Sequence, residues 1–158
     1  MNPDSPEFDA MIRSFLQTSR TATLATVNED GAPAACNVQY AQDDELNLYF
    51  VSNDQSDHSR NIVRDGRVAL TVYAHDDRAQ NIHGVQIRGV AEALCKAGDC
   101  NQAWEIYTSK FTFAAALPQF AEVLRNETFF RIRPTWLRWI DNRKKFGWKV
   151  EKALGLFE

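Results

Sequence analysis

Leu46–Leu70, Leu-Asn-Leu-Tyr-Phe-Val-Ser-Asn-Asp-Gln-Ser-Asp-His-Ser-Arg-Asn-Ile-Val-Arg-Asp-Gly-Arg-Val-Ala-Leu, reads as an apolar strand, a polar loop, a short basic helix and a second apolar strand. The first strand, Leu46–Ser52, carries the β-branched and aromatic residues that strands favour. Ser56 stands where a helix N-cap belongs, since its hydroxyl can accept a hydrogen bond from a free N–H of the first turn. A helix start presents unpaired donors and partial positive charge, which suits a phosphate. Arg60 follows four residues after Ser56, on the same helix face. These features suggest an anion pocket; the same residues also suit a surface helix whose arginines are merely solvated.

Working outward, Ser5-Pro6-Glu7 opens a first helix that should end near Ser19, with proline suited to the first turn. Phe8, Met11, Ile12, Phe15 and Leu16 follow at helical spacing and should face a core. Thr21–Val27 reads as a strand, Asn28-Glu29-Asp30-Gly31 as a hairpin turn, and Ala32–Ala41 as the returning strand. Beyond the helix at 56–65, Asp65-Gly66 leads into a strand at Arg67–Ala74. A long strand at Ile82–Leu94 sets Val85, Ile87, Gly89 and Ala91 on one face and Gln86, Arg88 and Glu92 on the other. Gly84 and Gly89 within it suggest bulges or close backbone approach. A helix at Asp99–Lys110, a short helix at 116–126, strands at Thr128–Arg133 and Thr135–Asp141 and an aromatic-basic tail complete the chain. Hairpin-linked strands with few helices predict a mainly β fold, an antiparallel barrel with peripheral helices, in which closure removes exposed edges.

The 158 residues fit one domain: an N-terminal helix at 1–19, barrel and helices at 20–149 and a tail at 150–158. A net charge of −3 and no basic patch argue against nucleic acid or an anionic membrane as partner. No apolar run of membrane-spanning length occurs, and the acidic start lacks the apolar region of a secretory signal. Three cysteines, Cys36, Cys95 and Cys100, form no disulfide framework, so a reduced cytoplasmic protein is expected. Cys95 and Cys100 lack the second pair or the histidines of a zinc site, and Cys36 lacks a partnered base. No triad, Walker motif or dinucleotide fingerprint is present; any redox chemistry would come from a cofactor.

Three stretches carry a family likeness: Thr23–Val27 with Asp30-Gly31-Ala32-Pro33; Ser56–Ile62 with Asp65–Leu70; and Gly84–Glu92. In this order they resemble the pyridoxamine 5′-phosphate oxidase-like superfamily, the FMN-binding split β-barrels, from about Thr21 to Lys149. Gly84–Gly89, Tyr107 with Lys110-Phe111, and Asp141-Asn142 with Phe146–Lys149 are similar to the YhbP-like branch. The resemblance implies a split antiparallel barrel, a homodimer and FMN bound at the dimer interface. Carried onto this sequence, it implies that the backbone of Cys36, Asn37, Val38 and Gln39 flanks the flavin ring. Ser52, Ser56 and His58, helped by Arg60, would approach ring and phosphate; Gln86, Arg88, Trp139, Asn142 and Trp148 would face the same cleft.

One departure stands out. The family's phosphate-binding Arg-Lys pair reads Asp57-His58 here. A carboxylate facing a phosphate costs about 4 kcal/mol at ~4 Å with an effective dielectric of ~20, so Asp57 must point away if the cofactor binds. Arg88 either contacts a ligand or pairs with Glu92 or Glu127. Trp136 and Trp139 fall on opposite strand faces, one of them in the core; Trp148 lies over a ligand or caps the barrel. The expected function is an FMN-binding oxidoreductase acting on an unknown small molecule. The alternatives are a haem-binding or haem-degrading split barrel and a cofactor-free dimeric binding module.

Overall fold

Ser5 caps the first helix, α1 (Pro6–Thr18), by accepting the Phe8 N–H at 3.3 Å, and Phe8, Ile12 and Leu16 are buried one turn apart. The computed structural model describes residues 1–95 and 97–155. After α1 come β1 (Thr21–Val27), β2 (Pro33–Gln39), β3 (Ala41–Gln42), β4 (Leu48–Ser52), α2 (Asp57–Arg64), β5 (Arg67–Tyr73) and β6 (His83–Ala93). Then follow α3 (Ala97–Lys110), α4 (Thr112–Ala116), α5 (Pro118–Arg125), β7 (Thr128–Asp141) and β8 (Lys149–Ala153).

The strands form one antiparallel sheet in the order β2-β1-β5-β6-β7-β4-β3, with β8 on the second half of β7. Its two end strands, β2 and β3, are neighbours in sequence, separated only by Tyr40. The sheet therefore curls until its ends adjoin at that residue, which is the split barrel the sequence predicts. Closure is incomplete: β2 pairs with β1 alone among the described residues, so one edge stays open. Alternation along the strands fills the interior with Leu24, Val38, Leu48, Phe50, Val68, Leu70, Val72, Val85, Ile87, Phe130, Ile132, Leu137 and Trp139. A smaller core, including Tyr49, Leu94, Ala103, Tyr107, Phe111 and Phe129, joins α3 and α4 to the outer side of β4 and β7.

Some ends shift by one or two residues: β4 starts at Leu48 and not at Leu46, because Leu46 sits in the preceding turn with φ 67° and its N–H on Asp43 O. Four larger differences from the sequence reading each have a local reason. The strand expected at Ala32–Ala41 breaks at Tyr40, whose buried hydroxyl donates to Leu16 O at 3.0 Å. The helix expected at 116–126 is α5 and starts only at Pro118, because Leu117 is extended before the proline, and a further short helix, α4, precedes it. The two closing strands are one, β7, and the ladder to β6 shifts register between Arg88 and Gly89, opposite Pro134. Proline lacks the N–H a regular ladder requires, so it sits at the bulge. The expected tail at 150–158 is partly sheet, since β8 pairs with β7 from Trp136 to Ile140; residues 156–158 lie outside the described residues. Gly84 and Gly89 do mark close backbone approach: a Cβ at Gly84 would overlap Val72 O, and one at Gly89 would overlap Arg133 O.

Candidate functional site

β4 ends at Ser52, the loop 53–56 turns the chain, and α2 begins at Asp57. Ser56 occupies the N-cap, but its hydroxyl does not cap. It is turned instead to Asn53 O at 2.8 Å and Ser59 Oγ at 2.7 Å. The first-turn N–H groups of α2 are thus left without a side-chain cap, and such groups need acceptors. Around them, Ser52 Oγ lies 2.7 Å and Ser56 Oγ 3.1 Å from His58 Nε2. Phe50 closes the other side of the imidazole, with ring centroids 6.3 Å apart. Burial lowers the His58 pKa below its ordinary value, and the neighbouring Asp57 carboxylate opposes that shift only in part. Burial thus favours the uncharged ring. Three hydroxyls, an imidazole and a helix start make a cluster that suits a phosphate through hydrogen bonds more than through charge.

Asp57 points to solvent, 84% exposed, and takes the Arg60 guanidinium at 2.6 Å. That removes the carboxylate from the cluster, as the departure from the family pattern requires. It also removes Arg60, which lines a polar surface cleft with Asn28, Asp30 and Arg64. The expected trio of Ser56, His58 and Arg60 is thus reduced to Ser56 and His58, joined by Ser52 and Ser59. The helix turn that sets Arg60 near Ser56 in sequence spacing also sets it three residues from Asp57, and the ion pair wins.

A second group lies on the outer face of the sheet. Arg88 and Arg138 both lie over Trp136, at 4.5 and 4.9 Å from its ring centroid. Arg138 also donates to Gln86 Oε1 at 3.2 Å and to Glu151 at 2.9 Å. With Thr23, Ala25, Ala69 and Thr71, the residues Gln86, Arg88, Trp136 and Arg138 line a shallow cleft of about 270 Å³. Neither Glu92 nor Glu127 pairs with Arg88; Glu92 holds Arg131 and Arg133 at 2.7 and 2.9 Å. On β2, Asn37 and Gln39 face outward, Asn37 accepting from Thr23 Oγ1 at 2.9 Å. Val38 is buried, and Cys36 packs against the core with its thiol pKa raised by burial, so only their backbone is available to a ligand.

Three expected site residues have other roles within the chain. Trp139 is 2% exposed and packs edge-on against Phe15 at 4.9 Å. It is a core residue and faces no cleft, because the alternation that buries it turns Trp136 outward. Asn142 donates to Ala79 O at 2.8 Å and accepts the Gly147 N–H at 2.9 Å, closing the β7–β8 turn. Trp148 packs on the core beneath Lys144, whose Nζ lies 4.1 Å from the indole centroid. The residues that sequence reasoning passed over are Ser59 and Arg138; of the two tryptophans it set on opposite faces, the outward one is Trp136, not Trp139. Trp136 and Arg138 share a strand face with period two, and that alternation was the available signal.

Comparison with known proteins fits this architecture. A family model described as pyridoxamine 5′-phosphate oxidase matches residues 8–141. A UPF0306 protein of Enterobacter sp. (strain 638) is 26% identical over 141 residues, covering 89% of this chain and 93% of the relative. A putative pyridoxamine 5′-phosphate oxidase from Listeria innocua superposes with a TM-score of 0.65 at 17% identity, over 85% of this chain and 98% of that one. A heme binding protein from Mycobacterium smegmatis superposes with a TM-score of 0.74 at 19% identity, over 94% of this chain and 59% of that one. At such identities the two structures show a shared fold. Among the described residues, no helix is long and apolar enough to cross a membrane.

Proposed function

The chain belongs to the pyridoxamine 5′-phosphate oxidase family, and from that premise we propose that it is a homodimeric FMN-binding protein of oxidoreductase type. The observation that carries the reading is the cluster of Ser52, Ser56, Ser59 and His58 at the uncapped start of α2, with Asp57 turned away. Ser52, Ser56 and His58 would hold the phosphate with the first-turn N–H groups. Gln86, Arg88 and Trp136 supply a polar and aromatic surface for the remainder, at the face where a second protomer would seat. Bound FMN would supply hydride or electron transfer to a small acceptor. The protein's part is to position, to set the charge near the ring and to exclude water. The substrate does not follow from the fold.

The absorption spectrum of the purified protein, before and after adding FMN, tests this. Flavin bands that co-elute with the protein support it; a colourless protein that leaves FMN fluorescence unchanged contradicts it.

A second reading, haem binding, rests on burial favouring the uncharged His58 ring, with Nε2 directed at a polar cluster. A neutral imidazole nitrogen is a common metal ligand, and a neighbour of the same fold is described as heme binding. A Soret band at one haem per chain, lost in His58→Ala, would favour it over FMN.

A further inference from the structure

The β4–β7 layer has a second side. Phe50 and Ser52 face His58, whereas Tyr49, Val51 and Phe129 face α3. On that second side the start of α3, the end of α5 and the start of β7 enclose a cleft of about 410 Å³. This is within the usual size for a small-molecule site. Leu94 and Phe129 are buried in its floor, and Trp104 forms a wall, edge-on to Phe129 with centroids 6.4 Å apart.

Two opposite charges stand at this cleft. The Arg125 guanidinium lies over the Trp104 ring at 4.8 Å. It makes no ion pair or side-chain hydrogen bond among the described residues, and neither does the Glu127 carboxylate. Stacking on an indole fixes the plane of a guanidinium and leaves its N–H edge free for a carboxylate.

We propose that this cleft binds a small zwitterion with an apolar side chain, of the α-amino acid class. Its carboxylate sits on Arg125, its ammonium on Glu127 and its side chain against Leu94, Phe129 and Trp104. A ligand with only one of the two charges engages only one of the two side chains, so the pair favours a ligand that carries both. The site lies on the opposite side of the β4–β7 layer from His58 and does not depend on any cofactor there.

Isothermal titration of the purified protein with L-phenylalanine, 3-phenylpropanoate and 2-phenylethylamine tests the proposal. L-Phenylalanine should bind best of the three. Arg125→Gln should weaken it by roughly tenfold or more, the usual loss for a hydrogen bond to a charged group. Glu127→Gln should weaken L-phenylalanine but leave 3-phenylpropanoate unchanged or tighter, a reversal that general loss of structure cannot produce. His58→Ala should change none of these. Arg125→Lys, which keeps the charge, should retain part of the affinity while melting like the parent. No heat with L-phenylalanine at millimolar concentration, or equal affinity for all three ligands, overturns the proposal. So does binding that survives both Arg125→Gln and Glu127→Gln.

Discussion

His58 lies between Ser52, Ser56 and the Phe50 ring, and its burial there lowers its pKa below the ordinary value. Its folded pKa lies below the unfolded value, so the native state binds fewer protons near that value. Stability from this site is present above about pH 6.5 and is lost as pH falls through the lowered folded value. Denaturant melts should therefore show less loss between pH 7 and pH 5 in His58→Gln than in the parent. Equal loss would mean that the ring already titrates freely. The same sign governs the ligand: phosphate affinity gains from the imidazolium only when pH falls below the ordinary histidine value, and His58→Ala should remove that gain. Asp57 offers the converse test. Asp57→Arg removes a carboxylate, adds a cation at the helix start and frees Arg60, so FMN should bind about tenfold tighter. No change would show that position 57 lies beyond reach of the phosphate. From sequence alone Asp57 was legible as an obstacle. Its remedy, the pair with Arg60, was not, because spacing placed Arg60 equally near Ser56.

Among the elements, β6 depends on its glycines. A methyl group at Gly84 or Gly89 meets backbone carbonyl oxygens, which cannot move as a side-chain tip can. Gly84→Ala and Gly89→Ala should each cost on the order of 1–3 kcal/mol in urea melts, the range for overpacking with backbone displacement. Gly98→Ala, where a Cβ meets nothing, should be neutral or stabilising within a helix. At the ends of α1 and α3, Lys110 donates to Leu16 O at 2.7 Å and Gln42 Oε1 at 2.9 Å and lies 4.0 Å from the Tyr40 ring centroid. Burial, with a smaller push from Arg20, takes its pKa down to about 7, against about 10.4 in an unfolded chain. The unfolded state then binds more protons between these values, so stability should rise with pH from about 7 to 10. Lys110→Met should flatten that rise; an unchanged slope would refute the assignment. Strands and the first helix were legible because alternation, turn residues and a cap agreed. The β8 strand was not, since Lys149–Ala153 alternates exposed and half-buried residues and gains its place only by pairing with β7.

For the molecule as a whole, the sheet's outer face and the cluster at α2 belong to one proposed site, which the sequence resolved unevenly. Ser52, Ser56 and His58, which lie within seven residues of one another in sequence, are brought into contact as expected. Trp136 and Trp139 were read as facing opposite ways, but Trp139 was placed in the cleft, because the bulge and Pro134 hid which of the two faced out. If two protomers meet at that face, Trp136→Asp should halve the mass seen by light scattering and weaken FMN together. A parent protein that is already monomeric would remove the homodimer from the account. The central claim is that His58 and its serines hold a phosphate, and its most direct test is a paired titration. FMN and riboflavin, which differ by the phosphate alone, are each titrated by fluorescence quenching into the parent and into His58→Ala. The account predicts that FMN binds the parent more tightly than riboflavin does, that His58→Ala costs FMN about 1–3 kcal/mol, and that riboflavin is indifferent to the change. Equal affinities for FMN and riboflavin in the parent, or an equal loss of both in His58→Ala, would contradict it.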